Sequence, residues 1–186
     1  AYQMDWLVDH FFYWMNSLHL TEPAVLLGHS LGGYVALEYA RRVSAWTRGL
    51  ILVDPFYSIS QLPPFLRLTY RRPHLSHSIL RRTPGWMFRF IVDVTSIAMG
   101  NGSGTVHSLP EKVRAQTALD YVRTSPGAYN VIRSGPDLSE HLSSISLPSL
   151  VVWGDRDQTL SPSSFERMLK RMPGAIGKPI RAGHVP

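Results

Sequence analysis

Ala24-Val25-Leu26-Leu27-Gly28-His29-Ser30-Leu31-Gly32-Gly33 passes from an unbroken apolar run into a glycine-flanked serine without a linker. Four consecutive apolar residues are the mark of a parallel strand covered on both faces. A helical stretch follows from about Leu31 to Val43, in which Ala36 and Ala40 stand four apart and offer a small-residue face for close packing on a sheet. Strand, Gly-x-Ser-x-Gly and helix in direct succession form a nucleophile elbow, a sharp strained turn that exposes the serine oxygen at the carboxyl edge of the sheet. Glycines are expected around it because bulkier side chains would collide with the adjoining strand and helix. The amide of Leu31, at the head of the helix, is placed to face a developing oxyanion.

A serine hydroxyl is a poor nucleophile until a base takes its proton, and the base needs an acid to orient it. On a scaffold of this kind the chain order is nucleophile, acid, histidine. Leu150-Val151-Val152-Trp153 is a later apolar run, and Gly154-Asp155-Arg156-Asp157 after it offers two candidate acids. Gly183-His184 offers the base.

Outward from these points the chain alternates. Met4, Leu7, Val8, Phe11, Met15 and Leu18 recur at helical spacing, and with Trp6, Phe12 and Trp14 on other faces this helix is expected to be mostly buried. Leu50-Ile51-Leu52-Val53 reads as a buried strand stopped by Asp54-Pro55. A helix is expected from Ser161 to Arg171, with Ser161 as its N-cap and Pro162 in the first helical position. Strands alternating with helices indicate a parallel α/β sheet. Residues 55–147 break this rhythm with Pro63-Pro64, Pro73, Pro84-Gly85, Pro110, Pro126-Gly127 and Pro136, between which lie short helical candidates, notably Glu111 to Arg123. The expected organisation is a core of residues 1–54 and 148–186 with a mainly helical cap inserted as residues 55–147.

Composition narrows the class. Of 186 residues 44% are hydrophobic and 17% charged, which suits a soluble globular chain and excludes disorder as the main state. The apolar runs fall well short of the roughly 20 residues that span a bilayer, so no transmembrane segment is expected. With no cysteine there are no disulfides and no thiolate chemistry, which fits a reducing, cytoplasmic setting. A net charge of +6 comes without any nucleic-acid-binding motif, so a modestly basic enzyme is expected rather than a nucleic-acid partner.

Taken together, Gly28-His29-Ser30-Leu31-Gly32-Gly33, Leu52-Val53-Asp54-Pro55, Leu147 to Asp157 and Ala182-Gly183-His184 resemble the α/β-hydrolase superfamily, in its capped, esterase-like group. The resemblance implies an α/β-hydrolase fold with Ser30 as nucleophile, Asp157 as acid and His184 as base. Asp155 and Asp54 are the rivals for the acid: the first as a ligand of turn amides, the second because some members of the fold carry their acid at the end of that strand. The implied reaction is hydrolysis of an ester or related carbonyl compound through an acyl-enzyme, with a small-molecule substrate bearing an apolar acyl part and no metal or organic cofactor. Acyl transfer, carbon–carbon bond hydrolysis and cofactor-free haloperoxidation occur on the same fold, as do non-catalytic binding homologues. Only the strand before Gly28 and three later ones are found, so the chain reads as the carboxyl-terminal part of the fold, with its early strands and second oxyanion donor expected upstream of Ala1.

Other polar residues carry less. His29 is expected to pack or hydrogen bond rather than react, and His10 and His19 to serve packing or surface roles. His74 and His77 have metal-like spacing but no third ligand. Gly100 to Gly104 does not join a strand to a helix, so it is expected to be a loop rather than a phosphate cradle. Arg67, Arg71, Arg72, Arg81, Arg82 and Arg89 occur with no acidic residue between Pro55 and Val92, interleaved with Tyr57, Phe65, Tyr70, Trp86, Phe88 and Phe90. They form either a solvated face or a site for anionic substrates, with peripheral contact to lipid headgroups as a further expectation.

Overall fold

A computed structural model describes residues 2–71, 82–99 and 109–185. Four strands, β1 (Ala24–His29), β2 (Thr47–Val53), β3 (Ser149–Gly154) and β4 (Ala175–Ile180), pair in the order β1-β2-β3-β4. All three pairings are parallel. Parallel neighbours require crossover connections. Helix α2 (Leu31–Arg42) joins β1 to β2, the long middle stretch joins β2 to β3, and α7 (Ser163–Arg171) joins β3 to β4. The alternation expected from the sequence is therefore present, with β2 beginning three residues before its apolar run. Strand β4 lacks such a run because it carries Gly177 and Pro179; at the edge of the sheet a proline is tolerated, since one side of the strand needs no partner.

The register shows which face is the core. Leu26, Leu50, Leu52, Val151 and Trp153 lie on one face and are buried. A side chain added at Gly177 on that face would strike Leu169 and Phe165 of α7, so helix and sheet are in close contact. The opposite face carries the row Leu27, Ile51, Leu150, Ile176, of which Leu27 is 68% and Ile176 72% exposed. The expectation that β1 is covered on both faces is thus corrected: an unbroken apolar run carries no information about which face is covered, and the described residues cover only one. An open apolar groove of about 870 Å³ runs beside β1, lined by Phe11, Trp14, Leu18, Val25, Leu27 and Gly32 among others.

Helix α1 (Met4–Ser17) also departs from expectation. Met4, Val8 and Met15 are buried, but Trp6, Tyr13 and Trp14 are more than half exposed. One face packs on α2, and Arg42 of α2 bonds Asp5, Asp9 and the buried Glu38 together, holding the two helices in register. Burial opposes ionisation of Glu38, but hydrogen bonds from Arg41 and Arg42 outweigh it and hold its carboxyl below the usual range. In α2 itself Ala36 and Ala40 are buried as expected. Helix α7 starts later than expected, at Ser163; the Ser161 hydroxyl bonds Ser163 Oγ and caps no amide, while its carbonyl accepts from Ser164 N.

Between β2 and β3 lie α3 (Pro64–Arg71), α4 (Gly85–Met99), α5 (Glu111–Arg123) and α6 (Tyr129–Ser134). Phe56, Tyr57, Leu62, Val131, Leu138, Leu142 and Ile145 belong to the main core, so both ends of this stretch are built into it. Phe88 and Val92 of α4 with Ala118 of α5 form a separate small cluster. Arg89 and Arg114 tie the same pair through Asp93 and Glu111. His74, His77 and the glycine run lie outside the described residues.

Candidate active site

The turn between β1 and α2 is Ser30 alone, at φ 50° and ψ −117°. A positive φ in a residue with a Cβ is strained and persists only where the surroundings over-determine it. They do so here. Ser30 N donates to Val53 O at 3.0 Å, and Ser30 O accepts from Gly33 N and Phe56 N, each at 2.9 Å. A Cβ on Gly28 would lie 2.4 Å from Gly32 O, so the strand can approach the helix only as glycine. Gly32 differs from expectation. A Cβ there meets nothing within 4 Å, because its hydrogens face the groove beside β1. Leu31 heads α2, where an amide has no preceding turn to bond to.

The turn after β3 carries the two candidate acids, Asp155 and Asp157. Its backbone is pinned to the end of β4 by Asp155 N to Ile180 O at 2.9 Å and to the segment beyond it by Arg156 N to Ala182 O at 3.0 Å. Gly154 has no room for a side chain, since a Cβ would sit 2.2 Å from Gly183 O. The chain then turns Asp157 inward, where it is 3% exposed. Its Oδ1 accepts from Thr159 N at 2.7 Å and Leu160 N at 2.9 Å, leaving Oδ2 for His184 Nδ1 at 2.8 Å. His184 Nε2 is 2.9 Å from Ser30 Oγ. The three residues singled out from sequence therefore form one hydrogen-bonded line. Of the rivals, Asp155 is exposed, and the amides of the turn are bound by Asp157 instead.

Asp54 is the rival that does reach the site. It is fully buried, its Oδ1 accepts from Gly154 N at 2.8 Å, and its Oδ2 has no hydrogen-bond partner among the described residues. Burial pushes its carboxyl up to about 7, against the Gly154 hydrogen bond and with help from the Asp157 charge. Ligand atoms of Asp54, Asp157 and His184 lie within 4.8 Å of one another, a donor set a cation could take. A bridging ion would have to break the direct bond between His184 and Asp157, so the arrangement is that of a hydrogen-bonded cluster. His29 makes a contact that the pattern did not specify, 2.7 Å from its Nε2 to the His184 carbonyl. His10 stacks on Trp6 at the surface, and His19, at φ 48° just after α1, is exposed, in keeping with packing and surface roles.

Of the arginine segment, Arg89 is paired as above and Arg82 is exposed. Arg67 has a buried Nε without a partner among the described residues. Arg72 and Arg81 fall outside them.

A family model described as serine aminopeptidase, S33, matches residues 5–179. The abhydrolase domain-containing protein abhd-5.2 of Caenorhabditis elegans is 29% identical over 116 residues, 62% of this chain and 23% of that protein. A probable 1-acylglycerol-3-phosphate O-acyltransferase of Oryza sativa subsp. japonica is 44% identical over 50 residues, 27% of this chain and 12% of that protein. Among solved structures, a thermophilic esterase from Thermogutta terrifontis superposes with a TM-score of 0.74 at 27% identity, over 100% of this chain and 66% of that one. The matches thus take in less than a quarter of either curated relative.

Proposed function

The chain belongs to the serine aminopeptidase S33 family of α/β-hydrolases, and from that premise we propose that it is a serine hydrolase acting on a small ester or related carbonyl substrate. The observation that carries this reading is the unbroken line from Ser30 Oγ through His184 to Asp157, assembled from three separate loops at carboxyl ends of the sheet. In the proposed cycle Ser30 attacks the carbonyl carbon while His184 takes the hydroxyl proton. Asp157 holds the imidazole and stabilises its charged form, and the Leu31 amide donates to the oxyanion. His184 then returns the proton to the departing alcohol, and water repeats the sequence on the acyl-enzyme. The α4–α5 pair, with its own small core, is proposed as the cap over this site. A cysteine-free chain fits a reducing, cytoplasmic setting. Among the described residues no helix is long and apolar enough to cross a membrane.

Intact-mass analysis after exposure to a fluorophosphonate should show a single adduct, absent in Ser30→Ala. Absence of any adduct on the folded wild-type protein, or its persistence in that variant, would remove the reading.

A second reading, acyl transfer, is favoured by the 44% identity to the rice protein named as an acyltransferase. The same acyl-enzyme would then be resolved by an alcohol instead of water. Adding 1-acylglycerol-3-phosphate to an ester turnover assay separates the two: transfer yields the diacyl product at the expense of free acid, hydrolysis yields free acid alone.

A further inference from the structure

Two carboxyl groups are buried together at this site, and they are very differently supplied with donors. Asp157 receives three, two backbone amides on Oδ1 and His184 Nδ1 on Oδ2. Among the described residues Asp54 receives one, the Gly154 amide on Oδ1, and its Oδ2 has no donor. A buried acceptor with no donor costs much of its lost hydration. Two negative charges within 4.8 Å in a dry site would also repel each other. One proton removes both penalties if it resides on Asp54: Oδ2 becomes a donor, and a carboxylate oxygen of Asp157 lies within 4.8 Å of the Asp54 carboxyl as an acceptor to turn to.

The backbone points the same way. Asp54 sits at φ 41° immediately before Pro55, a conformation that a residue with a Cβ adopts only under constraint. Its amide is held by Val152 O of β3 at 3.0 Å, and two residues on Phe56 N bonds Ser30 O of the elbow. Asp54 is thus fastened to the serine turn on one side and to the β3 end on the other. The titratable groups facing it among the described residues are Asp157 from the turn after β3 and His184 from the segment after β4.

We propose that Asp54 is a positioning residue which, as a neutral carboxylic acid, donates a hydrogen bond to the Asp157 carboxylate while accepting one from Gly154, so that one side chain fixes both the acid and the turn that carries it. This rests on the Ser30–His184–Asp157 reading above.

Infrared difference spectra provide the test, because they see the proton directly. Below pH 7 the wild-type protein should show the carbonyl stretch of a protonated carboxyl group, and above that pH lose it. Asp54→Asn should abolish this band and Asp157→Asn should retain it. The opposite assignment, or no such band, overturns the proposal. Turnover gives the second arm. Asp54→Asn, whose amide can both donate to Asp157 and accept from Gly154, should stay within about threefold of wild type, whereas Asp54→Ala should lose on the order of tenfold in kcat with little change in KM, the loss expected for one charge-assisted hydrogen bond. Equal losses in both variants, or none in Ala, would show that Asp54 positions nothing. If the Ala variant does not fold, the infrared bands of the Asn variants decide alone. Fluorophosphonate labelling of Ser30 in wild type reports on the serine-hydrolase reading separately, since the infrared band does not depend on it.

Discussion

His29 Nε2 lies 2.7 Å from the backbone carbonyl oxygen of His184, across 155 positions of sequence. A carbonyl can only accept, so His29 is the donor and carries its proton on Nε2. The residue before Ser30 therefore holds the backbone of the residue whose ring bonds Ser30, and the distance between hydroxyl and imidazole is braced from both ends.

His29→Ala is accordingly expected to slow turnover by about three- to tenfold, the loss of one neutral hydrogen bond in an exposed setting. Ser30 should still be labelled by a fluorophosphonate, only more slowly. A variant as fast as wild type in single-turnover acylation would show that the contact is incidental.

The two acids of the β3 turn should behave very differently. Asp157→Asn disturbs the only carboxylate bonded to His184 among the described residues, and the analogous change in a serine-protease triad costs about four orders of magnitude in kcat. Asp155→Asn alters an exposed side chain and should leave turnover within about twofold. Comparing steady-state rates at equal folded concentration checks both.

The glycines of the elbow should also separate. Gly28→Ala drives a methyl into Gly32 O and should unfold the chain or lower its melting temperature steeply. Gly32→Ala places a methyl in open space within the first turn of α2, and should stabilise by roughly 0.5–1 kcal/mol through its helix preference. Thermal melts of the two variants read the difference, although the motif alone would treat both positions alike.

Asp54 ties stability to pH. Its folded carboxyl holds a proton up to about 7, against 3.8 for the ordinary group, so the folded state binds more protons than the unfolded between those values. Stability contributed by this group is therefore full below 3.8 and falls as pH rises towards 7. Asp54→Asn removes that dependence. Its stability relative to wild type should rise across the same window, at up to about 1.4 kcal/mol per pH unit, and level off above it. Urea titrations at several pH values measure this; a difference that does not vary with pH would place an ionised carboxylate at Asp54.

The strained turn at Ser30, the three apolar strands, the helix at Glu111–Arg123 and the residues that meet as the line Ser30, His184 and Asp157 were all legible in the sequence. Each is a local matter: a run of apolar side chains, a glycine where the backbone must approach closely, a helical period between breakers. What lay beyond the sequence was decided by contacts between distant segments. An apolar run does not say which of its faces will be covered, so the exposure of Leu27 and Ile176 followed only from where α2 and α7 come to rest. A strand broken by Gly177 and Pro179 declares itself only when β3 is there to pair with it. Asp54 and Asp157 look alike as strand-end aspartates. The fold distinguishes them by directing three donors to one and a single amide, from a residue 100 positions away, to the other, because the charge of a buried carboxyl depends on the dipoles aimed at it.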